Sequence, residues 1–174
     1  DEANKANYIK RDTPVMCVIG NPPYAVSSIN KNDWIQNLIS DYKKGLKERK
    51  LNLDDDYIKF IRYGQHYIDK NGSGILAYIS NNSFIDGITH HQMRKSLVKT
   101  FNKIYIIDLH GNSSKKEKHP DGSPDENVFD IQQGVSINIF VKSKNSKKSI
   151  KHFDVFGRRN FKYEFLNKNQ LDTI

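Results

Sequence analysis

The fold is decided first by residues 15–24, which read VMCVIGNPPY. Residues 15–19 are a short apolar run rich in β-branched side chains, and Gly20 and the proline pair after it end the run. Such a run predicts a strand that is buried on both faces of a parallel sheet. The polar loop at residues 21–24 then follows the carboxyl end of that strand, where open α/β sheets bind their ligands.

The rest of the chain alternates between helical and strand patterns. Helices are predicted at residues 30–50, 54–71 and 89–101, and strands at residues 75–79, 104–109, 135–141 and 150–156. This alternation predicts a partial Rossmann-like α/β sheet with about four main strands, flanking helices, right-handed crossovers and an antiparallel last hairpin. The first of these helices is expected to be a peripheral insertion, and residues 110–127 to form a long surface loop.

Composition narrows the class of protein. The 174 residues suit one α/β domain, and the formal charge of +8 favours a polyanionic partner, chiefly nucleic acid, although a merely soluble basic protein would carry the same charge. The single cysteine excludes an internal disulfide, and no apolar run reaches the ~20 residues of a membrane helix. We therefore expect a cytoplasmic protein that is not in a membrane. Because the chain begins at Asp1 in polar sequence, it is also expected to be a piece of a larger protein.

The loop Asn21-Pro22-Pro23-Tyr24 carries the clearest chemistry. Consecutive prolines stiffen the backbone and remove donors, so the side-chain oxygen of Asn21 and the carbonyl of Pro22 can both point into a cavity as acceptors. Two acceptors suit the two hydrogens of an exocyclic amine, and Tyr24 offers a flat ring on which an extruded base can stack. The competing interpretation is a structural proline turn beside a core tyrosine.

Residues 15–24 resemble the catalytic motif of amino-methyltransferases that modify DNA adenine. Residues 57–84 are similar to the helix, strand and loop that follow this motif, and residues 104–111 and 127–135 resemble single-polypeptide restriction-modification enzymes. The resemblance, which spans residues 14–165, implies a DNA adenine-N6 methyltransferase with S-adenosylmethionine as methyl donor. It places Asn21 and Pro22 near the methionine part of the donor. It also implies that Phe129 forms a second wall against the flipped adenine, with a core phenylalanine as the alternative.

The same resemblance implies a domain organisation. Residues 1–165 would be the C-terminal part of the catalytic domain, and residues 166–174 would begin the next, target-recognition region. The Gly-rich donor-binding loop and acidic ribose ligand of a complete enzyme are not in this sequence, and Gly72-Ser73-Gly74 leads into a strand, which indicates a turn. We therefore expect no appreciable turnover from the chain alone. Its expected partners are DNA and the nuclease, recognition and, in some members, helicase regions of one polypeptide.

A basic tract follows residue 141, with Asp154 as its one acid before residue 163. It predicts a groove that tracks DNA phosphates, although a solvated surface is the alternative. The cations assigned to this role are Lys142, Lys144, Lys147, Lys148, Arg158 and Arg159.

No metal site is predicted. His90 and His91 diverge on a helix and lack a third ligand at a suitable spacing, so a surface or capping role is favoured. Residues 54–56 are three aspartates, which fit the N-terminus of a helix better than a cation site.

Two other functions stay open at this point. The Asn-Pro-Pro-Tyr motif also occurs in enzymes that methylate RNA base amines or a protein glutamine amide, although the basic tract favours DNA. A protein of a different class, a nucleic-acid-binding module without catalysis, would carry the same charge.

Overall fold

The computed structural model describes residues 1–24, 28–47 and 53–171. Within these ranges it contains five α-helices, five strands and two short 3-10 turns. The helices are α1 (Glu2–Asp12), α2 (Asp33–Lys43), α3 (Asp56–Asn71), α4 (His91–Thr100) and α5 (Arg159–Lys168). The strands are β1 (Cys17–Gly20), β2 (Gly74–Asn81), β3 (Lys103–Asp108), β4 (Val135–Lys142) and β5 (Ser149–Asp154), and the 3-10 turns are Asn82–Phe84 and Ile88–His90.

The strands pair into one mixed sheet in the order β1-β2-β4-β3-β5. Strand β1 is parallel to β2, β5 is parallel to β3, and β4 runs antiparallel to both of its neighbours. The predicted α/β sheet with flanking helices is therefore confirmed, but its last two strands, β4 and β5, do not form an antiparallel hairpin, because β3 lies between them. This topology brings four carboxyl ends, those of β1, β2, β3 and β5, to one side of the sheet, which we call the carboxyl edge.

Helices α2, α3 and α4 cover one face of the sheet and form the larger core. Gly64 of α3 lies against Leu76 of β2, where an added Cβ would be 2.5 Å from the leucine Cδ1, so a glycine is needed for this close approach. Gly72 ends α3 in the left-handed conformation with φ 82°, as expected for a helix C-cap. The predicted helix that opens with aspartates is confirmed, since α3 begins at Asp56.

The prediction that the helix within residues 30–50 is peripheral was wrong. Ile39 and Tyr42 of α2 are fully buried, and the Tyr42 hydroxyl donates a 2.7 Å hydrogen bond to Gln65 Oε1. Trp34 of the same helix is 45% exposed, whereas Ile35 lies in the core. Residues 48–50 of the predicted helix lie outside the described residues.

The other sheet face carries a second apolar cluster near the carboxyl edge. Its buried members are Ile107, Leu109, Val128, Val135 and Val155. Phe165 and Leu166 of α5 pack against this cluster, as does Leu171 in the residues that follow the helix. Helix α5 therefore continues through position 165 without a break, while residues 172–174 lie outside the described residues.

Strand β1 is not buried on both faces, contrary to the prediction. It lies at one end of the sheet and pairs with β2 alone among the described strands. Ile19 is 79% exposed as a result, and Met16 and Cys17 are exposed as well. The apolar residues of this segment are therefore not all buried by the described part of the chain.

His90 also departs from its predicted surface or capping role. It is buried, and its Nε2 lies 3.2 Å from the hydroxyl of Tyr57. Burial lowers the pKa of His90 to about 4, so the ring is neutral in the core. In the described part of the chain, no helix has the length and apolarity that crossing a membrane requires.

Candidate functional site

The loop at residues 21–24 lies at the carboxyl edge, directly after β1. Gly20, the last residue of that strand, pairs with Tyr78 of β2. Pro22 is buried and anchors the loop, whereas Asn21 and Pro23 are exposed. The side chain of Asn21 makes no hydrogen bond to any described residue. Within the described part of the chain, its carboxamide is therefore available to a ligand at the carboxyl edge.

Tyr24 lies against Phe129, which is far away in the sequence. The two ring centroids are 6.1 Å apart with an interplanar angle of 62°, an edge-to-face contact. The Tyr24 hydroxyl is buried without a hydrogen-bond partner among the described residues, and burial raises its pKa to about 12. The fold thus brings together two aromatic side chains that the sequence assigned to the same pocket.

Asn127 holds the backbone of Phe129 in place. Its Oδ1 accepts a 2.8 Å hydrogen bond from the Phe129 N–H, and its Nδ2 donates to the carbonyls of Gly111 and Gln133 at 3.0 and 2.6 Å. Gly111 has φ 81°, and a Cβ there would lie 2.5 Å from the Asn127 Cα. Gly111 is thus required both by its backbone conformation and by this close approach.

His110 joins the ends of β3 and β5. Its Nδ1 lies 2.8 Å from Glu117 Oε1, its Nε2 lies 2.8 Å from Asp154 Oδ1, and its ring stacks on Phe156 at 3.7 Å. Burial of the ring lowers the pKa of His110, but the charge of Asp108 and the hydrogen bonds to Glu117 and Asp154 outweigh burial and raise the pKa overall. Two carboxylate acceptors require a donor on each ring nitrogen, so this arrangement is that of an imidazolium.

Asp108, His110 and Asp154 also form a group of potential metal ligands whose ligand atoms lie within 4.8 Å of one another. The sequence did not suggest this group, because Asp154 lies 44 positions after His110 and only the pairing of β3 with β5 brings it close. Both nitrogens of His110 already bond to carboxylates, so a cation would have to displace the ring proton and one of these bonds. We assign no metal to it.

The six cations predicted to bind DNA fall at two ends of the sheet. Lys142 pairs with Gly74 at the first residue of β2, and residues 143–148 connect β4 to β5 at this same end. The eight residues of β2 put about 23 Å between this end and the carboxyl edge, at ~3.3 Å per residue. Arg158 and Arg159 follow β5 and lie at the carboxyl edge. Lys142 is ion-paired with Asp69, whereas the Arg158 side chain makes no hydrogen bond or ion pair with any described residue.

The basic tract suggested that Lys162 belongs to a solvated surface, but the structure places it in the interior. Its side chain is fully buried, and its Nζ lies 2.8 Å from Asp125 Oδ1. Asp125 also accepts 2.7 Å hydrogen bonds from the N–H groups of Gly111 and Gly157. Sequence reasoning missed this pair, for which the only signal is an aspartate within a loop and a lysine at a helical position among aromatic residues.

The comparisons first define the class of protein. Three-dimensional superposition matches a type I restriction-modification methyltransferase subunit from Streptococcus thermophilus with a TM-score of 0.50 and 17% identity, over 92% of this chain and 34% of that chain. At this identity the likeness concerns the fold alone, and the fold is that of the α/β methyltransferases.

The family follows from the sequence. The model of the Eco57I restriction-modification methylase family matches residues 5–115, and the chain belongs to that family. Comparison with curated proteins gives no match.

Two large enzymes show a closer structural likeness. One is a DrdV–DNA complex, with 31% identity and a TM-score of 0.81 over 98% of this chain and 18% of that chain. The other is the ATP-dependent Type ISP restriction-modification enzyme LlaBIII bound to DNA, with 28% identity and a TM-score of 0.79 over 94% of this chain and 12% of that chain. The chain thus spans less than a fifth of the length of these two structures.

Proposed function

We propose that this chain is the catalytic half of a domain that transfers a methyl group from S-adenosylmethionine to N6 of adenine in DNA. The observation that carries the proposal is the contact of Tyr24 with Phe129, in the same loop as the exposed carboxamide of Asn21, which bonds to no described residue. Membership of a restriction-modification methylase family supports the reaction class. The DNA-bound state of both similar structures supports DNA as the substrate.

The proposed reaction needs little from the chain beyond hydrogen-bond acceptors and a stacking surface. The two N6 hydrogens of adenine donate to Asn21 Oδ1 and to the carbonyl of Pro22, which favours a tetrahedral nitrogen whose lone pair points at the methyl group. The N6–carbon bond forms as the carbon–sulfur bond breaks, which leaves S-adenosylhomocysteine, and N6 then gives one proton to solvent water. Asn21 and Pro22 orient the amine through these acceptors, and no covalent link to the protein is needed.

S-adenosylmethionine supplies an electrophilic methyl group when it is bound. The described residues fit its methionine end in part, because an exposed carboxamide and a buried proline lie together at the open side of β1. Gly72 and Gly74 are at the opposite end of β2, away from this loop, so they supply no donor-binding loop beside Asn21. The rest of the donor site is therefore proposed to come from other parts of a longer polypeptide, which would also carry the nuclease and recognition regions.

Tyr24 and Phe129 are proposed to hold the flipped adenine. The two rings contact each other edge to face, so an adenine between them requires one ring to turn aside. Of the proposed DNA contacts, Arg158 is the exposed cation at the carboxyl edge beside this pocket. The four lysines from Lys142 to Lys148 are proposed to contact flanking DNA, given their distance along β2. The domain boundary at residue 165 and the cytoplasmic location stay predictions.

The test uses the full-length protein that contains this chain, labelled S-adenosylmethionine and DNA, with N6-methyladenine quantified in the recovered nucleosides. We expect Asn21→Ala to lower turnover at least ~100-fold, by analogy with the removal of one preorganised hydrogen-bonding group. Asn37→Ala, which removes an exposed carboxamide from α2, is the matched control and should match the wild type. Wild-type turnover in Asn21→Ala would refute the acceptor mechanism.

Tyr24 provides a second arm of the same experiment. Its hydroxyl has no partner among the described residues, so Tyr24→Phe should keep both turnover and stability, because no hydrogen bond is lost. Tyr24→Ala removes the stacking surface, which is worth ~1–3 kcal/mol per base. It should therefore lower kcat/KM about 10- to 100-fold. Equal effects of the two variants would contradict a stacking role.

The alternatives are separate outcomes. Label in RNA or in a protein glutamine amide, with none in DNA, would replace the substrate but keep the chemistry. DNA binding by the wild-type protein with no label in any acceptor would identify a nucleic-acid-binding module without catalysis.

A further inference from the structure

Helix α5 supplies a row of hydrogen-bond donors to one short loop segment. Three of its side chains donate to four consecutive backbone carbonyls in residues 126–129. The bonds are Lys162 Nζ to Glu126 O at 2.6 Å, Arg159 Nε to Asn127 O at 2.8 Å, Tyr163 Oη to Val128 O at 2.6 Å, and Arg159 Nη2 to Phe129 O at 3.1 Å. Backbone carbonyls of a segment outside helices and strands need such partners when they are partly buried.

Arg159 makes the most demanding contribution to this arrangement. Its guanidinium donates to two carbonyls that are two residues apart, and it also bonds to Asp130 Oδ1 at 2.7 Å. A planar guanidinium can do this because its donors are fixed relative to one another, whereas a lysine ammonium is a single point of charge. The geometry of Arg159 is therefore committed to the backbone of the segment.

Lys162 and Tyr163 fix the same segment from the next turn of the helix. Lys162 is completely buried, and besides Glu126 it donates to the carbonyl of Leu109 at 2.6 Å and pairs with Asp125. The Tyr163 ring is partly exposed, but its hydroxyl bonds to the carbonyl of Val128. Neither side chain is thus free to bind a phosphate.

Phe129 is the residue that these bonds orient. Its N–H donates to Asn127 Oδ1 and its carbonyl accepts from Arg159, so both of its backbone polar groups are fixed. Its ring lies against Tyr24. A shift of the segment would therefore move the ring relative to Tyr24.

We propose that Arg159 and Tyr163 are positioning residues, which set the place of Phe129 as a wall of the adenine pocket through the backbone of residues 126–129. This inference rests on the proposed function, because it assigns the purpose of the α5 contacts to that pocket. The charge of Arg159 first suggested phosphate binding, and this inference gives the residue a different role.

The experiment uses the full-length protein and compares Arg159→Lys, Tyr163→Phe and Phe129→Leu, alone and combined. Lys168→Gln is the matched control, because it removes from the same helix an exposed charge that pairs with Glu164 of α5 itself. Turnover and the KM values for S-adenosylmethionine and DNA are measured on DNA whose methylated adenine has been mapped. A second DNA carries 2-aminopurine at that position, so its fluorescence reports how the flipped base is stacked.

We expect Arg159→Lys and Tyr163→Phe each to lower kcat about 10-fold, since small displacements of pocket groups have effects of this order or larger. The KM for S-adenosylmethionine should stay unchanged, and the 2-aminopurine signal should change in the same sense as in Phe129→Leu. Either variant combined with Phe129→Leu should be no worse than Phe129→Leu alone, because both act through one side chain.

Losses that multiply in the combined variants would overturn the positioning role, as would α5 variants that behave like Lys168→Gln. A further variant, Arg159→Gln, tests phosphate binding. The proposal would also be overturned if Arg159→Lys kept a normal kcat while Arg159→Gln raised the KM for DNA and weakened the salt dependence of DNA binding, because Arg159 would then be a phosphate contact. Failure of the proposed function looks different, because the wild type itself would then leave no N6-methyladenine in the DNA, or Asn21→Ala would keep wild-type turnover.

Discussion

At the scale of single residues, His110 is held at the carboxyl edge both by its backbone conformation and by the partners of its ring. Its φ of 51° is uncommon for a residue with a side chain, and its ring is held between two carboxylates and the face of Phe156. The ring thereby links the loop after β3 to the end of β5. Since one partner is Asp154 and the other Glu117, the charge of the ring decides whether this link is attractive.

The free energy of unfolding should therefore depend on the protonation of His110. Burial lowers the pKa of this ring, but Asp108, Glu117 and Asp154 raise it above the unfolded value of ~6.5. A raised pKa stabilises the fold fully below the unfolded value, and this contribution is lost as pH rises through the folded pKa. We expect stability to fall as pH rises from ~6.5 through that value.

Urea unfolding of the wild type and of His110→Asn at several pH values checks this prediction. Asparagine tolerates the positive φ but has no charge to lose, so the difference in stability between the two proteins should shrink as pH rises. His90 and His66 have lowered pKa values and are present in both proteins, so they cancel in the comparison. A difference that is constant with pH would contradict a charged His110.

At the scale of elements, the loop after β3 and the segment before β4 depend on a close approach of two backbones. Gly111 and Gly122 both have positive φ values, 81° and 87°, yet their surroundings differ. A Cβ at Gly111 would meet Asn127 at 2.5 Å, while one at Gly122 would meet nothing within 4 Å. The two glycines thus separate backbone strain from steric overlap.

We expect Gly122→Ala to destabilise the protein by about 1–2 kcal/mol, the cost of a left-handed conformation for a residue with a Cβ. Gly111→Ala adds an overlap with Asn127 that costs a further ~1–3 kcal/mol. It should also displace Phe129 and therefore reduce methyl transfer in the full-length protein. Urea midpoints of the two variants test the difference. Equal midpoints would show that the loop adjusts freely.

The sequence predicted helices and strands well, because the spacing of apolar residues along a segment depends on the local backbone conformation. Strand β4 shows why burial was harder to predict: its alternating pattern predicts a strand, but Ser136 and Asn138 are fully buried polar residues. Asn138 bonds to Ser80 on β2 and to Ser136, so the polar groups satisfy one another across the sheet. A single sequence does not reveal such partners, because they depend on strand order.

Some residues of the candidate site were predictable from the sequence and others were not. Asn21 and Tyr24 were predicted because they belong to a four-residue motif that directly follows a strand. Phe129 was predicted from a family resemblance. Asn127, Asp125 and Lys162 were not predicted, since their roles arise only when α5 packs beside the segment at residues 126–129. Long-range hydrogen bonds of this kind leave no local pattern.

At the scale of the whole molecule, β1 presents an open edge. Its outer side pairs with no other described strand, and Ile19 is 79% exposed, whereas Val18 packs against the larger core. Unpaired strand edges are templates for pairing with another chain. In the proposed full-length enzyme, the donor-binding half of the sheet would cover this edge.

The 174-residue chain on its own should therefore self-associate as its concentration rises. Ile19→Lys should weaken this association, because a lysine on an edge strand opposes pairing. Ile88→Lys is the matched control, since Ile88 is 78% exposed in a 3-10 turn away from the edge. Sedimentation velocity over a range of concentrations measures the effect. A monomeric wild-type chain at every concentration, or equal effects of both lysines, would contradict the role of β1.

The donors of α5 have a practical consequence for chimaeras made from enzymes of this family. A junction placed before Arg159 would strip four carbonyls of their partners and leave Asp125 buried without its lysine. Under the proposed function, such a hybrid would also lose the support of Phe129. A junction after Lys168 keeps the helix with the segment that it supports.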